Sequence, residues 1–223
     1  MTAGFRIVPM PARPAPALVA ALGEMVTAHL SDNMSRLQGA AAAIRPMHRG
    51  GRLAGVALTV RVPPGDNLMV HKAIDIAQPG DVIVVDAGGA LEQAIIGDIM
   101  TSHAAKRGVA GFVIDGAIRD ADELAARDFP VYGRGVTHRG PYKNGPGEIG
   151  VPVSIGGMVV NPGDIVVGDG DGVVAVPQAD AEAVLAAARE QKKKEDATLA
   201  AIAAGTIDRK WVDETLRAKG CEF

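Results

Sequence analysis

Two uninterrupted apolar runs constrain the fold of this chain more than any other feature. The segments 81–86 (DVIVVD) and 109–115 (VAGFVID) are apolar at consecutive positions, and glycine or proline precedes each one. Runs of this length without alternation are typical of strands that are buried on both faces. Helical patterns lie between and beyond them, so the sequence predicts β–α–β units with a partly parallel sheet.

The rest of the chain is predicted around these two strands. A strand is expected over 53–62 and a helix that begins near Asp66, and Val-rich strands separated by turns are expected over 129–177. Helices are also predicted over 16–29, over 90–106, from 179 to Gly205 and over 208–219. The chain is expected to divide into a unit over 1–178 and a C-terminal helical arm over 179–223.

Composition excludes several classes of function. The formal net charge of the 223 residues is -3 and aromatic residues make up 3%, which argues against a nucleic-acid partner. Cys221 is the one cysteine, so a disulfide within the chain is impossible. No apolar run approaches the roughly 20 residues of a membrane helix. We therefore expect a cytoplasmic protein with no membrane association.

Both buried runs end in aspartate followed by small residues, at Asp86 and at Asp115. Ligands of open α/β sheets bind at the carboxyl ends of strands, where helix N-termini present free N–H groups. The glycines after each aspartate would allow backbone to approach a ligand closely. The same residues also form ordinary turns, and for the glycines alone that interpretation is favoured.

Two dipeptides, one on each side of the second buried run, contain candidate functional residues. Arg119 offers a planar fork for a carboxylate, and Asp120 offers a hard oxygen ligand for Mg²⁺ or Mn²⁺. The pair alone is equally compatible with a surface salt bridge or a helix cap. Gly97 and Asp98 interrupt an apolar helical pattern, which indicates either close access to a ligand or a simple helix break.

Common catalytic motifs are absent from the sequence. No HExxH, GxGxxG, P-loop or GxSxG pattern occurs, which disfavours zinc, dinucleotide, nucleoside-triphosphate and serine-hydrolase sites. Most of the five histidines are expected to be structural. His71 is the exception that we retain as a candidate, because Asn67 lies one helical turn before it.

Six motifs in register resemble one known family. PPGDNLMVH, GDVIVVDAGG, IIGDIM, GFVIDGAIRDADEL, VNPGD and DGDGVVAVP occur in this order between about 52 and 177. Together they resemble the 4-hydroxy-4-methyl-2-oxoglutarate / 4-carboxy-4-hydroxy-2-oxoadipate aldolases, a family related to the regulator of ribonuclease E activity. The resemblance implies an α/β/β sandwich of the swivelling-domain type with a mixed sheet. It also implies a homotrimer or homohexamer, with active sites between subunits and the C-terminal arm packed on a neighbouring subunit.

The resemblance assigns roles to particular residues. Arg119 would bind the carboxylate and keto oxygens of the pyruvyl group, and Asp120 would ligate Mg²⁺ or Mn²⁺. Asp98 would position a water for proton transfer. Glu195, from a neighbouring subunit, would act on the metal through water, with Asp196 and Glu190 as alternatives. Further substrate-binding positions are expected at Gly97, Ile99, Met100, Asn67 and His71.

These roles predict a metal-dependent carbon–carbon lyase of aromatic catabolism. It would cleave 4-hydroxy-2-oxo acids to pyruvate and a second oxo acid through an enolate, and would decarboxylate oxaloacetate. The alternative is a non-catalytic protein that binds and regulates a ribonuclease, and the presence of Asp120 and Glu195 favours the enzyme. A methyltransferase label carried by related sequences is rejected, because no glycine-rich S-adenosylmethionine loop follows the first strand. Distal substrate specificity is expected to involve Asn67, His71 or the 139–150 loop with Arg139 and Lys143, unless that loop is only a surface excursion.

Overall fold

A ten-stranded mixed sheet forms the centre of the computed structural model, which describes residues 3–223. The strands are β1 (Phe5–Ile7), β2 (Arg45–Pro46), β3 (Leu53–Arg61), β4 (Asp81–Asp86), β5 (Ala94–Ile96), β6 (Gly111–Ile118), β7 (Val131–Val136), β8 (Gly147–Ile149), β9 (Val153–Ile155), β10 (Met158–Val160), β11 (Ile165–Gly168) and β12 (Val173–Val176). The helices are α1 (Pro16–Gly23), α2 (Thr27–Asp32), α3 (Leu68–Ile76), α4 (Asp98–Lys106), α5 (Ala121–Ala125), α6 (Ala181–Ala203) and α7 (Lys210–Ala218), with a 3₁₀ turn over Gln178–Asp180.

The sheet has a parallel middle and antiparallel additions. Its main order is β1-β8-β3-β4-β6-β7-β2, and β3, β4, β6 and β7 run parallel to one another. β11 pairs antiparallel with β3 and with β12, while the short β5 pairs with β6. The two predicted buried strands, β4 and β6, are therefore neighbours, and their carboxyl ends lie at one edge of the sheet.

Side chains alternate between two apolar layers along each central strand. Ile83 and Val85 face a cluster with α3 and α4, whereas Val82 and Val84 face a second cluster formed with the small β9–β10 sheet. Because both faces are covered, the central positions of these strands, 82–85 and 112–114, are all apolar, as expected for buried parallel strands. Helices on one face and strands on the other make an α/β/β sandwich, so the predicted fold class is confirmed.

The C-terminal arm is packed only along its first turns. Buried residues of α6, among them Val184 and Leu185, join α1, α2 and the β11–β12 hairpin in a third apolar cluster. Further along, Leu199, Ile202 and Trp211 are exposed. No helix within residues 3–223 combines the length and apolar character needed to cross a membrane. The division at 178 stays a prediction.

Three predicted element boundaries are wrong. The helix expected over 90–106 is instead strand β5 followed by α4, because Ala94 and Ile96 pair with β6. The helix expected over 16–29 is split into α1 and α2, since the N–H and hydroxyl of Thr27 bond to Asp169 and begin a new helix there. β6 does not end at Asp115 but continues to Ile118, where it pairs with β7.

Candidate active site

A cavity of about 190 Å³ opens where the carboxyl ends of β5 and β6 meet α3 and α4. Its wall contains side chains from separate parts of the sequence, including Asn67, His71, Met100, Arg119, Pro141 and Lys143. The backbone of Gly97 contributes to the same wall. The cavity therefore lies at the edge of the sheet where the aspartates and glycines of the strand ends predict a ligand site. The aspartates at the two predicted strand ends, however, do not line this cavity.

Asp115 and Asp86 are structural rather than part of the cavity. Oδ1 of Asp115 accepts a 2.6 Å hydrogen bond from Nε of Arg134, and its Oδ2 accepts one of 2.7 Å from the Gly156 N–H. Asp86 accepts from the Gly88 N–H in the turn after β4. Asp86 therefore belongs to an ordinary strand-end turn, whereas Asp115 lies within β6 and holds Arg134 and the backbone of Gly156.

Gly97 allows two charged residues to approach the start of α4. Its backbone is extended (φ -154°, ψ -165°), so the conformation itself does not require glycine. A Cβ atom at this position would lie 2.4 Å from Oδ2 of Asp120 and 2.8 Å from Cγ of Arg119. Gly97 precedes α4 and does not sit within a helix, so close access is the physical reason for a glycine here.

Asp120 is held in an uncommon conformation at the junction of β6 and α5. It occupies the N-cap position of α5 with φ 56°, in the left-handed region, and its carboxylate does not cap that helix. Oδ2 instead accepts a 2.8 Å hydrogen bond from the N–H of Asp98. Non-glycine residues with positive φ are rare and concentrate at functional sites, where surrounding contacts maintain them.

Arg119 lines the cavity and lies beside Asp120, whereas the cavity wall includes neither Asp120 nor Asp98. Its backbone N–H donates to the carbonyl of Ile96, and its Nε lies 3.7 Å from Oδ2 of Asp120. At this separation the two side chains form a loose, partly exposed ion pair worth about 1 kcal/mol or less. The guanidinium therefore keeps donors available for a planar oxyanion such as a substrate carboxylate.

The first turn of α4 presents free backbone donors next to this pair. The N–H of Asp98 is taken by Asp120, but within residues 3–223 the N–H groups of Ile99 and Met100 bond to no acceptor. Helix N-termini combine such free donors with a partial positive charge, which favours anions. The predicted positions Gly97, Ile99 and Met100 thus lie in the same cavity wall as Arg119, in an arrangement suited to bind one anion.

Asn67 and His71 form the opposite wall and carry polar atoms without a protein partner. Nδ2 of Asn67 donates to the carbonyl of Ile95 at 2.8 Å, while its Oδ1 is buried and unpaired within the described residues. Nε2 of His71 is likewise buried and unpaired there. Burial, followed by the nearby positive charge of Lys143, lowers the pKa of His71. Buried polar atoms of this kind require a partner, which a substrate or water would supply.

The 139–150 loop is anchored at the cavity and is not a surface excursion. Oδ2 of the buried Asp66 accepts from the N–H groups of Asn144 (2.6 Å) and Gly145 (3.0 Å), and the Asn67 N–H donates to the carbonyl of Tyr142. These bonds place Lys143 on the cavity wall. Arg139, also considered for specificity, is exposed and its carbonyl accepts from Ala94.

One ion pair at the site was missed by the sequence reasoning. Oδ1 of Asp98 lies 2.8 Å from Nη2 of Arg127, a residue just beyond α5. Pro141 in the cavity wall was missed as well. No local pattern identifies Arg127, because the pairing depends on how α4 and α5 lie on the sheet.

Glu195 lies away from this cavity within its own chain. Its Oε2 is 2.6 Å from Nε2 of His29, its Oε1 accepts from Gln191, and these two hydrogen bonds, with that of His29 the stronger influence, lower its pKa. No contact joins it to Arg119 or Asp120 within residues 3–223. The role predicted for Glu195, through a neighbouring subunit, stays a prediction.

The carboxylate ligands at this site suit a hydrated divalent cation better than a metal ion enclosed by several protein side chains. Within residues 3–223 no three His, Cys, Asp or Glu side chains group closely enough to surround an ion. Mg²⁺ usually keeps several waters and is held through one or two carboxylates plus substrate oxygens. The carboxylate of Asp120 is partly exposed, and its Oδ1 accepts no hydrogen bond from the described residues. These features fit such a cation.

Comparison with known proteins identifies the family. The RraA-like family model, described as Aldolase/RraA, matches residues 27–175. The chain belongs to the RraA-like family. The predicted resemblance is thereby confirmed.

Members of the RraA-like family that are similar to this chain carry different names. A Halalkalibacterium halodurans protein, provisionally named as a 4-hydroxy-4-methyl-2-oxoglutarate aldolase, is 43% identical over 79% of this chain and 84% of its own length. The crystal structure of an uncharacterized Pseudomonas syringae pv. tomato protein matches with a TM-score of 0.80 and 33% identity, over 90% of this chain and 95% of that one. The RNA-processing inhibitor RraA from Thermus thermophilus matches at 32% identity and a TM-score of 0.64, over 69% and 93%.

Proposed function

We propose that this protein is a divalent-metal-dependent lyase that cleaves 4-hydroxy-2-oxo acids to pyruvate and a second oxo acid. The candidate substrates are 4-hydroxy-4-methyl-2-oxoglutarate and 4-carboxy-4-hydroxy-2-oxoadipate, with oxaloacetate decarboxylation as a companion activity. The observation that carries the proposal is the junction at Gly97. There Arg119, Ile99 and Met100 line the cavity, and the carboxylate of Asp120 lies directly beside Arg119, 3.7 Å from its Nε. The similar proteins named as aldolases support the same class of reaction.

Substrate binding, metal binding and charge stabilisation are assigned to different residues. Arg119 and the N–H groups of Ile99 and Met100 bind and orient the carboxylate of the pyruvyl half. Asp120 would hold Mg²⁺ or Mn²⁺, which supplies Lewis-acid polarisation of the 2-oxo group when bound. Arg119 adds fixed positive charge beside the oxygen on which negative charge develops.

Asp98 mediates proton transfer in this proposal. A water held by its carboxylate accepts the proton of the C4 hydroxyl, the C3–C4 bond breaks, and C4 becomes the carbonyl of the second product. The electron pair passes to the pyruvyl half as an enolate, and a proton returned to C3 yields pyruvate. In oxaloacetate the group lost from C3 is CO₂, so the same residues serve decarboxylation.

The distal part of the substrate would meet the other wall. Lys143 provides a positive charge there, and the unpaired atoms of Asn67 and His71 provide one acceptor and one nitrogen of a neutral imidazole. A second carboxylate that faces this wall would pair with Lys143 and accept from Nε2 of His71 in the tautomer that carries its proton there, with a water donating to Oδ1 of Asn67. We therefore favour dicarboxylic or tricarboxylic 2-oxo acids over simple pyruvate derivatives.

Glu195 and the exposed arm are accounted for by an oligomer. We propose a homotrimer or homohexamer in which the 179–223 arm packs on a neighbouring subunit and brings Glu195 toward the water shell of the metal. The support is that Glu195 lies apart from its own cavity and that Leu199, Ile202 and Trp211 are exposed. Analytical ultracentrifugation of the full chain tests the assembly, and a monomer would contradict it.

The decisive experiment couples pyruvate release to lactate dehydrogenase. Oxaloacetate and 4-hydroxy-4-methyl-2-oxoglutarate are supplied with Mg²⁺, with Mn²⁺ or with EDTA, and the metal-only rate is subtracted. Arg119→Ala and Asp120→Ala should each lower kcat/KM by about 100-fold or more. Asp122→Ala, at an exposed acidic position two residues further on, serves as the control and should leave the rate unchanged.

The main alternative is a protein that regulates a ribonuclease by binding it. The likeness to the Thermus thermophilus RNA-processing inhibitor is the observation in its favour. Metal-dependent turnover that collapses in both variants would establish the lyase. No turnover above background with either substrate would contradict these two activities, and inhibition of a purified ribonuclease would then support the alternative.

A further inference from the structure

Asp98 is held from both ends of the 120–127 segment. Its backbone N–H donates to Oδ2 of Asp120 at the start of α5, and its side chain pairs with Arg127 beyond the end of α5. Two residues that flank the short helix α5 thus contact the backbone and the carboxylate of the same residue. The two contacts limit both the translation of α4 and the rotation of the Asp98 side chain.

The guanidinium of Arg127 contacts two residues on one face of α4. Nη2 lies 2.8 Å from Oδ1 of Asp98, and Nη1 donates to the hydroxyl of Ser102, one helical turn further along. Residues four apart share a face of a helix, so the two guanidinium nitrogens bridge neighbouring positions. The backbone of Arg127 is itself fixed, because its N–H donates to the carbonyl of Leu124.

The ion pair with Arg127 leaves one carboxylate oxygen of Asp98 available. Oδ1 is buried and forms an ion pair with the guanidinium at 2.8 Å, although the two groups are not aligned as a hydrogen bond. No group within residues 3–223 bonds Oδ2. The side chain keeps 29% of its exposure, so solvent reaches its remaining surface. A carboxylate that is fixed at one oxygen and solvated at the other is suited to hold a water in one orientation.

We propose that Arg127 is a positioning residue that orients Asp98 for proton transfer. This inference rests on the proposed lyase function, in which Asp98 holds the water that exchanges protons with C4 and C3. Arg127 does not line the cavity and acts through Asp98 alone. Its effect should therefore fall on the chemical step and leave substrate binding almost unchanged.

Kinetics of matched variants separate positioning from general support of the fold. Arg127→Met should lower kcat by about 10- to 100-fold, the scale of a misplaced catalytic group, while KM changes less than about 3-fold. Arg127→Lys should recover part of the loss, and guanidinium ions added to Arg127→Met should restore part of it. Ser102→Ala removes the other contact of Arg127, its hydrogen bond to the Ser102 hydroxyl, and should keep kcat within about 2-fold of the wild type.

A double-mutant cycle tests whether Arg127 acts through Asp98. If the two work as a unit, adding Arg127→Met to Asp98→Asn should cause almost no further loss of kcat. An unchanged kcat in Arg127→Met would overturn the inference. So would a loss that simply multiplies with that of Asp98→Asn, or an equal loss in Ser102→Ala, since either indicates general support.

A measurement without turnover keeps this inference distinct from the proposed function. The Asp98 amide is bonded to Asp120, so hydrogen exchange at this amide reports how firmly the start of α4 is held. Exchange should be faster in Arg127→Met and unchanged in Ser102→Ala. A wild type that makes no pyruvate would contradict the lyase, while unaltered exchange in Arg127→Met would overturn the positioning role by itself.

Discussion

The backbone N–H of Asp98 donates a 2.8 Å hydrogen bond to Oδ2 of Asp120, and this bond links the two acidic residues of the candidate site. The two residues belong to different elements, α4 and the β6–α5 junction. Their proximity places the proposed metal ligand and the proposed proton-transfer residue side by side. It also depends on the absence of a side chain at Gly97.

Gly97→Ala should inactivate the protein while the fold persists. The new Cβ would lie 2.4 Å from Oδ2 of Asp120, so Asp120 and Arg119 would have to move. We expect kcat/KM to fall by about 100-fold, because displacements near 1 Å at reacting groups cost about that much. Gly170→Ala is the control, since nothing lies within 4 Å of its Cβ position and its φ is not positive. Equal activity of both variants would contradict the close approach.

Metal binding at Asp120 should be visible in thermal unfolding. A ligand at a hundred times its Kd stabilises the folded state by about 2.7 kcal/mol, which corresponds to a rise in Tm of about 5 to 10 °C for a chain of this size. Mn²⁺ should raise the Tm of the wild type and of Asp122→Asn, and should not raise that of Asp120→Asn. A rise that survives in Asp120→Asn would place the cation elsewhere.

Lys143→Met should weaken binding of substrates that carry a distal carboxylate. Lys143 lies on the cavity wall, and loss of a partly exposed charge pair of about 1 kcal/mol raises KM by about 5- to 10-fold. kcat should change less than KM. Lys72→Met, at an exposed lysine of the neighbouring α3, should behave like the wild type in steady-state assays. An unchanged KM in Lys143→Met would exclude this contact.

His71 should make the folded state less stable in mild acid. Burial, and then the charge of Lys143, lowers its pKa below the ordinary value of 6.5. The unfolded chain therefore takes up the proton first as the pH falls below 6.5, and stability is lost from there toward the lower pKa of the folded state. The fall in Tm between pH 7.5 and 5.5 should be smaller in His71→Gln than in the wild type. The exposed His138→Gln should retain the full fall, and identical curves for all three would refute the idea.

The parts of the fold that were predicted correctly are those with a local signature. β3, β4 and β6 were found because their residues are apolar on both faces, and α6 because its segment is rich in alanine, glutamate and lysine. The region around Gly97 was misread for a physical reason. Three consecutive buried positions at Ala94–Ile96 are compatible with a helix or a strand, and only pairing with β6 decides between them.

The sequence by itself determined the mixed α/β fold, indicated the sandwich through the family resemblance, and predicted the sheet edge of the cavity with the candidate residues Arg119, Asp120 and Asp98. Consecutive apolar positions and turn residues report burial and backbone geometry locally, and six motifs in register indicated the family. The tertiary structure alone decided that Lys143 shares a cavity with Arg119 and that Arg127 forms an ion pair with Asp98. These contacts join distant segments, and strand register and helix packing set their distances, which no local pattern encodes.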